Sequence, residues 1–395
     1  MKIGIYGGTF DPIHRGHITA AQAAAQQLGL DLLLLIPASI PPHKALPEGG
    51  ADAAQRLEMA TLATAELSCP AQVLDVEVRR QGKSYTADTL RTLRRQYPED
   101  ELWLLMGTDM FLSLQDWHEP QEILRLVRVA AFSRTGDPEQ QRFARQRAYL
   151  EKTFGAQVTV VENPHVVDIS STRLRQLLPE GREYLPEAVY GYILRQRLYG
   201  THAELKHLTP EELRPIALSF LKPKRMPHVL GTEQEAIRLA RRYGADETDA
   251  RIAALLHDCT KKLDMEQQLA LCRRYDIRLD GLEQHALKLL HAKTGAAVAR
   301  DIFGVKDAVY EAIRWHTTGK PDMTLLEKVI YLADYIEPNR DFPGVERLRR
   351  AVYDDLDKGL LMGLSDTIDE MERMGNPVHH DTLEARDFLL RGEAK

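Results

Sequence analysis

The chain has 395 residues, 44% hydrophobic and 28% charged, enough for two domains that each bury a core. This ordinary composition excludes the disordered, collagen-like and coiled-coil classes. Its charge argues against a chain built to lie along nucleic acid: the formal net charge is -6, with 22 Lys and Arg against 24 Asp and Glu in residues 1–200 and 30 against 34 in residues 201–395.

Three cysteines (Cys69, Cys259, Cys272) are too few and too scattered for a disulfide framework or a zinc ribbon, and they fit a reducing compartment. The opening MKIGIYGG reads as a strand and not as a signal peptide. The most apolar stretch, Leu30 to Ala38, is about half a membrane span and contains Asp31. A soluble cytoplasmic protein is expected, with no membrane partner.

Lys2–Tyr6 predicts a first strand, and Gly16–Leu28 an alanine-rich helix with Gly29 as its cap. Leu32–Ile36 is a continuous apolar run, as a strand buried on both faces should be. Further strands are expected at Val73–Val78, Leu102–Met106, Val127–Phe132 and Gln157–Val161. Helical patterns lie at Ala53–Leu67, Thr86–Gln96, Gln121–Leu126 and Gln140–Thr153. The alternation predicts an α/β domain with a parallel sheet, whose ligands sit at the carboxyl ends of strands.

The alternation stops near Tyr199–Gly200. Helical patterns then run through Pro210–Leu221, Glu233–Tyr243, Asp249–Leu256, Glu266–Tyr275, Leu282–Val298, Asp307–Arg314, Leu325–Ile336, Val345–Leu361 and Leu364–Met374. An all-α C-terminal domain is expected, with the boundary near 199–208 and domains of 1–200 and 201–395.

Between the first strand and the first helix stands Gly7-Gly8-Thr9-Phe10-Asp11-Pro12-Ile13-His14-Arg15-Gly16-His17. The glycines let the backbone turn tightly and approach a ligand, and the helix start suits phosphate. His14 and His17, three apart, face one side and can donate to oxygens that gain charge in phosphoryl transfer. This run resembles the signature of the nucleotidyltransferase superfamily with a His-x-Gly-His motif. That superfamily transfers a nucleotidyl group from a nucleoside triphosphate to a phosphate, without a covalent intermediate, on a Rossmann-like sheet. Its second signature is matched by Ile169-Ser170-Ser171-Thr172-Arg173-Leu174-Arg175. Ser170 or Ser171 is a natural N-cap there, and Arg175 can grip phosphate.

Within that superfamily residues 1–198 most resemble bacterial nicotinate-nucleotide adenylyltransferases, through Ile36-Pro37, Pro41-Pro42-His43-Lys44, Ser84-Tyr85-Thr86-Ala87-Asp88-Thr89-Leu90 and Gly107-Thr108-Asp109. The resemblance implies ATP with Mg2+ on Gly8, Thr9, Phe10, His14, His17, Gly107, Asp109, Ile169, Ser171, Thr172 and Arg175. It implies nicotinate mononucleotide on Lys44, Tyr85, Thr86 and Trp117, with His14, His17 and Arg175 catalytic. Phosphopantetheine or another phosphorylated acceptor is the alternative.

Of 14 histidines, nine lie in the last 195 residues, which invites a search for metal-ligand spacing. His228, the pair His257-Asp258, His291, His316 and Asp334 each fall on or beside a helix. Asp334 sits in an apolar helix, where a carboxylate costs free energy unless it is paired or metal-bound. Six such ligands exceed one tetrahedral site and allow two metals bridged by Asp258. The order resembles the HD-domain metal-dependent phosphohydrolases. With Cys259-Thr260-Lys261, Trp315-His316-Thr317-Thr318-Gly319 and Ala333-Asp334-Tyr335-Ile336-Glu337-Pro338-Asn339-Arg340 it is similar to the YqeK-type subgroup.

That subgroup is associated with symmetrical cleavage of diadenosine tetraphosphate to two ADP at a two-iron site. The resemblance implies that His228, His257, Asp258 and Asp334 hold one metal, that His291 and His316 complete the second, that Asp258 is also catalytic, and that Lys261 and Arg340 meet phosphate oxygens. His202, His207, His285, His379 and His380 read as surface or packing residues. The alternative is a nucleotide-sensing regulatory module.

Overall fold

The computed structural model describes residues 1–40, 49–80, 83–133, 137–162 and 167–392. The chain folds into two compact units, Met1–His202 and Ala203–Lys395.

In chain order the first unit contains β1 (Lys2–Gly8), α1 (Arg15–Leu28), β2 (Leu32–Pro37), α2 (Ala53–Ala63), β3 (Ala71–Val73), α3 (Val76–Arg79), α4 (Thr86–Gln96) and β4 (Glu101–Met106). Then follow α5 (Thr108–Leu112), α6 (Pro120–Leu126), β5 (Arg128–Ser133), α7 (Asp137–Phe154), β6 (Val158–Glu162), α8 (Ser171–Leu177) and α9 (Glu187–Gln196). All neighbouring strands pair in parallel, in the order β3-β2-β1-β4-β5-β6. The crossovers leave β1 and β4 adjacent at the centre, so the topological switch point lies between their carboxyl ends, Gly8 and Met106. One face of the sheet sends Ile3, Ile5, Leu34, Ile36, Leu104 and Val129 into a core with Leu90, Leu93, Phe111, Ile123 and Phe143.

One expected strand is wrong. Val73–Val78 is not extended: β3 is Ala71–Val73, and a helical turn, α3, follows. The Leu74 N–H still reaches the Leu35 carbonyl of β2. Asp75 then accepts from the Arg79 backbone at 2.8 Å and pairs with its side chain at 2.6 Å, closing a local turn in place of a ladder. This turn carries Glu77 inward.

The second unit is helical, with no strand among its described residues. It contains α10 (Pro210–Leu218), α11 (Met226–Tyr243), α12 (Glu247–Leu256), α13 (Met265–Arg274), α14 (Leu287–Phe303), α15 (Asp307–Trp315), α16 (Leu325–Ile336), α17 (Val345–Asp354), α18 (Leu356–Arg373) and α19 (His380–Leu390). Helix α11 starts earlier than the expected Glu233, because Pro227 stands in the first turn, where its missing N–H costs nothing. His228 is thereby on a helix. The expected helix 345–361 is two: Asp355 leaves helical geometry at φ −151° and caps α18 through the Lys358 N–H. The expected helix 282–298 breaks at Ala286. Helix α19 was not expected at all.

No described helix is long and apolar enough to cross a membrane.

Candidate active sites

In the first unit a cavity of about 430 Å³ opens at the switch point. Gly8, Thr9, Phe10, His17, Tyr85, Thr86, Gly107 and Trp117 line it, together with residues the sequence did not point to, among them Tyr6, Glu77 and Met110. The wall follows from the strand ends: Gly7 to Phe10 continue β1 and Met106 to Gly107 continue β4. A Cβ on Gly8 would lie 2.8 Å from the Phe10 ring, so the turn needs glycine there. Phe10 itself, at φ 50°, is a buried packing partner whose ring meets those of Tyr6 and His17 edge-on.

The His14 N–H donates to His17 Nδ1 at 3.2 Å. With Nδ1 accepting, a neutral His17 carries its ring proton on Nε2. The His17 ring is held by His14 and Phe10, with centroids 3.8 and 5.2 Å away. His14 is buried beside it and does not line the cavity.

The second signature meets the first. Ser170 caps α8 by accepting from the Arg173 N–H, the Ser171 hydroxyl donates to the Pro12 carbonyl at 2.9 Å, and Arg175 donates to the Asp11 carbonyl. Thr172 and Arg175 line a separate, open depression with Gly49, Gly50 and Tyr199. Asp109 is exposed in the first turn of α5, and neither it nor Ile169 or Ser171 lines either cavity. Lys44 lies outside the described residues.

Three supports of this site escaped the sequence reading. Arg56 on α2 is fully buried and donates to the carbonyls of Thr9, Ala38, Ser39 and Ala51, tying the loop after β1 to the loop after β2. Tyr199 donates to Asp11 Oδ1 at 2.6 Å. Glu77, in the cavity wall, accepts from the Thr89 hydroxyl at 2.7 Å, and burial raises its carboxyl above the usual range. An arginine in an alanine-rich helix and a glutamate in a short turn look like solvent-facing residues, so no sequence signal marked them.

The paired histidines set a pH dependence. Burial lowers the His14 imidazole to about 4, and burial with the neighbouring His14 holds His17 well below 6.5. An unfolded chain takes up these protons near pH 6.5, whereas the folded unit resists them. The stability gained from neutral histidines is therefore complete above pH 6.5 and lost as pH falls towards 4, by roughly 3 kcal/mol for His14. Thermal unfolding of the first unit should move to lower temperature over that range, and His14→Gln should flatten the slope. Equal slopes for the two proteins would refute the assignment.

In the second unit five helices converge. His228 is in the first turn of α11, His257 and Asp258 leave the end of α12, His291 is on α14, His316 ends α15 and Asp334 is on α16. All six predicted metal ligands come together. His228 Nε2 lies 2.9 Å from Asp334 Oδ1 and 3.3 Å from His257 Nε2. His291 Nε2 lies 3.1 Å from His316 Nε2 and 3.3 Å from Asp258 Oδ1. Asp258 spans the two groups: Oδ2 faces His257 and His228, while Oδ1 faces His291 and is buried without a hydrogen-bond partner.

The outer nitrogens explain the inner ones. Nδ1 of His257, His291 and His316 faces the carbonyls of Ala254, Lys288 and Ile313 at 2.6, 2.7 and 2.6 Å. Nδ1 of His228 faces Glu337 Oε1 at 3.1 Å. The backbone carbonyls require a proton on Nδ1 of His257, His291 and His316, so these neutral rings present Nε2 lone pairs to one centre, while His228 meets a carboxylate at each nitrogen, Glu337 at Nδ1 and Asp334 at Nε2. Burial lowers the imidazoles of His257, His291 and His316. Burial alone would raise Asp258 and Asp334, yet the facing histidines and cations hold both well below the carboxylate range. Buried lone pairs and an orphaned carboxylate oxygen fit divalent metal ions.

Lys261 Nζ lies 3.0 Å from His291 Nε2, and Arg340 donates to Asp334 Oδ1 at 2.7 Å. Arg225, which the sequence reading missed, pairs with Asp258. A further group, Asp280, His379 and His380, also brings donor atoms together. There the logic is reversed: His379 Nδ1 accepts the Asp381 N–H to cap α19, which leaves the ring proton of a neutral imidazole on Nε2, 3.1 Å from Asp280 Oδ2 but outside hydrogen-bond geometry. His379 is buried in this packing role.

The cytidylyltransferase-like family model matches residues 5–177, and the HD-domain model matches residues 225–339. A Gloeobacter violaceus protein named probable nicotinate-nucleotide adenylyltransferase is 42% identical over 209 residues, 51% of this chain and 98% of the relative. A Halalkalibacterium halodurans protein named bis(5'-nucleosyl)-tetraphosphatase, symmetrical, is 43% identical over 183 residues, 44% of this chain and 95% of the relative. A solved structure of a predicted HD superfamily hydrolase involved in NAD metabolism from Clostridium acetobutylicum is 41% identical and covers 47% of this chain and 98% of its own, with a TM-score of 0.46. The chain therefore belongs to the cytidylyltransferase-like family through its first unit and to the HD-domain family through its second.

Proposed function

We propose that the chain is a bifunctional cytoplasmic enzyme acting on small nucleotides. The first unit transfers the adenylyl group of ATP, taken with Mg2+, to nicotinate mononucleotide. An acceptor phosphate oxygen attacks the α-phosphorus, the bond to the β-phosphate oxygen breaks, and deamido-NAD and pyrophosphate leave. His17, with its ring proton on Nε2 and its ring facing the cavity, is assigned to stabilise the charge that grows on phosphate oxygens, with His14 holding it. Gly8, Thr9, Gly107 and Asp109 are assigned to ATP, Ser171, Thr172 and Arg175 to its triphosphate, and Tyr85, Thr86 and Trp117 to the acceptor.

The second unit is assigned to the symmetrical hydrolysis of diadenosine tetraphosphate to two ADP. His228, His257, Asp258, His291, His316 and Asp334 would hold two divalent metals, with iron as the assigned metal. When bound, these supply Lewis-acid charge to the polyphosphate and lower the pKa of water. Lys261, Arg340 and Arg225 stand beside the ligand carboxylates and are assigned to the phosphate oxygens. The observation that carries this half is the set of four histidine Nε2 atoms turned towards one buried centre, beside a carboxylate oxygen with no hydrogen-bond partner.

Purified full-length protein should release pyrophosphate faster with nicotinate mononucleotide than with phosphopantetheine as acceptor. It should also convert diadenosine tetraphosphate to ADP in a chelator-sensitive reaction. Faster release with phosphopantetheine would overturn the acceptor assignment, and binding of the dinucleotide without turnover would favour a sensing module.

A further inference from the structure

We infer that Glu337 is a positioning residue for the metal centre, and that Gly231 and Asn339 exist in this arrangement to hold it. The inference rests on the metal-centre reading above and concerns how one ligand, His228, is aimed. Glu337 follows the end of α16 and is 1% exposed. Its Oε1 faces His228 Nδ1 at 3.1 Å. Its Oε2 accepts from the Asn339 N–H at 2.7 Å and from the Asn339 side-chain amide at 2.9 Å. That amide also donates to the Pro227 carbonyl, one residue before the histidine. The carboxylate is thus fixed at both oxygens.

Three donors converge on Glu337, and only a side chain that accepts at both ends satisfies them. A glutamine would have to turn its NH2 towards either Asn339 or His228. Turned towards His228, it would favour an unprotonated Nδ1 and place the ring proton on Nε2, where the metal must bind. Gly231, one turn after His228 on α11, supplies the space. A Cβ there would lie 2.1 Å from Glu337 Oε2 and 2.8 Å from the Asn339 amide nitrogen. The side chain that would have to yield is the one aiming the histidine. Two substitutions on different elements therefore converge on one contact.

The test uses the metal-free full-length chain titrated with Co2+ and followed by its visible absorption. The wild type should fill two classes of site with distinct spectra. Glu337→Gln should weaken one class about 10- to 100-fold, the range for lost outer partners of a metal-bound histidine, and leave the class at His291 and His316 in place. Gly231→Ala should weaken the same class. Thermal unfolding of each variant separates misfolding from misaiming, because a misfolded unit loses both classes. In either variant, where thermal unfolding matches the wild type, unchanged affinity or equal loss at both classes overturns the inference alone. A wild type that takes up no Co2+ overturns the metal-centre reading and this inference with it.

Discussion

Asp258→Ala is expected to abolish hydrolysis of diadenosine tetraphosphate and to strip bound metal, while adenylyl transfer in the same preparation stays within about twofold. The carboxylate is fully buried, and its two oxygens face different histidine groups. Losing it should cost more than losing an outer partner, which typically costs 10- to 100-fold, so a fall of more than about 100-fold is the expected result. The variant also leaves Arg225 without its close partner and removes the carboxylate nearest Lys261. Breaking a buried ion pair from one side costs about 3–5 kcal/mol, so thermal unfolding must accompany the assay. His257→Gln keeps Asp258 and removes one inward lone pair, and it should lower bound metal in the same direction. Hydrolysis above a tenth of wild type in a folded Asp258→Ala protein would sink the assignment. So would a parallel fall in adenylyl transfer, since every residue lining the first unit's cavity lies between Ile5 and Ile123.

How much of this was legible in the sequence depended on what each residue must do alone. The strand, glycine turn and helix at residues 2–28 could be read because apolar runs, glycines and a left-handed cap at Gly29 (φ 63°) are all local signals. The candidate ligands could be picked out because their order along the chain resembles the HD-domain pattern, and Asp334 also because a carboxylate in an apolar helix is costly unless paired or metal-bound. Residues that act through a distant partner left no such mark. Arg56 is placed by carbonyls on two other loops, and Glu337 by a histidine 109 positions earlier. The break at Asp355 was hidden because the apolar pattern continues across it, and only the cap shows that the helix restarts. At Val76 the apolar spacing suited a strand, whereas the chain forms a helical turn there that the exposed Asp75–Arg79 pair accompanies.

His17→Ala should lower the turnover of adenylyl transfer about 10²–10³-fold, as removal of one preorganised donor to a developing charge does, with the KM for ATP changed little. The reason is local. His17 sits one turn into α1 with its Nδ1 occupied by the His14 N–H and its ring bounded by Tyr6, Phe10 and His14. It cannot rotate away without losing those contacts, and its Nε2 is left for the substrate. Because burial keeps the imidazole neutral well below pH 6.5, it acts as a hydrogen-bond donor and not as a cation. Turnover should therefore show no acidic limb at the pH of an ordinary histidine. His17→Asn, which retains a donor on a shorter side chain, should recover part of the loss if donation matters and none if the imidazole's bulk does. Steady-state pyrophosphate release measures both variants, with diadenosine tetraphosphate hydrolysis as the internal control. A turnover within threefold of wild type for His17→Ala would remove His17 from the reaction. A rise in the KM for ATP at unchanged turnover would instead make it a ground-state contact to ATP, which is a binding role and not a catalytic one.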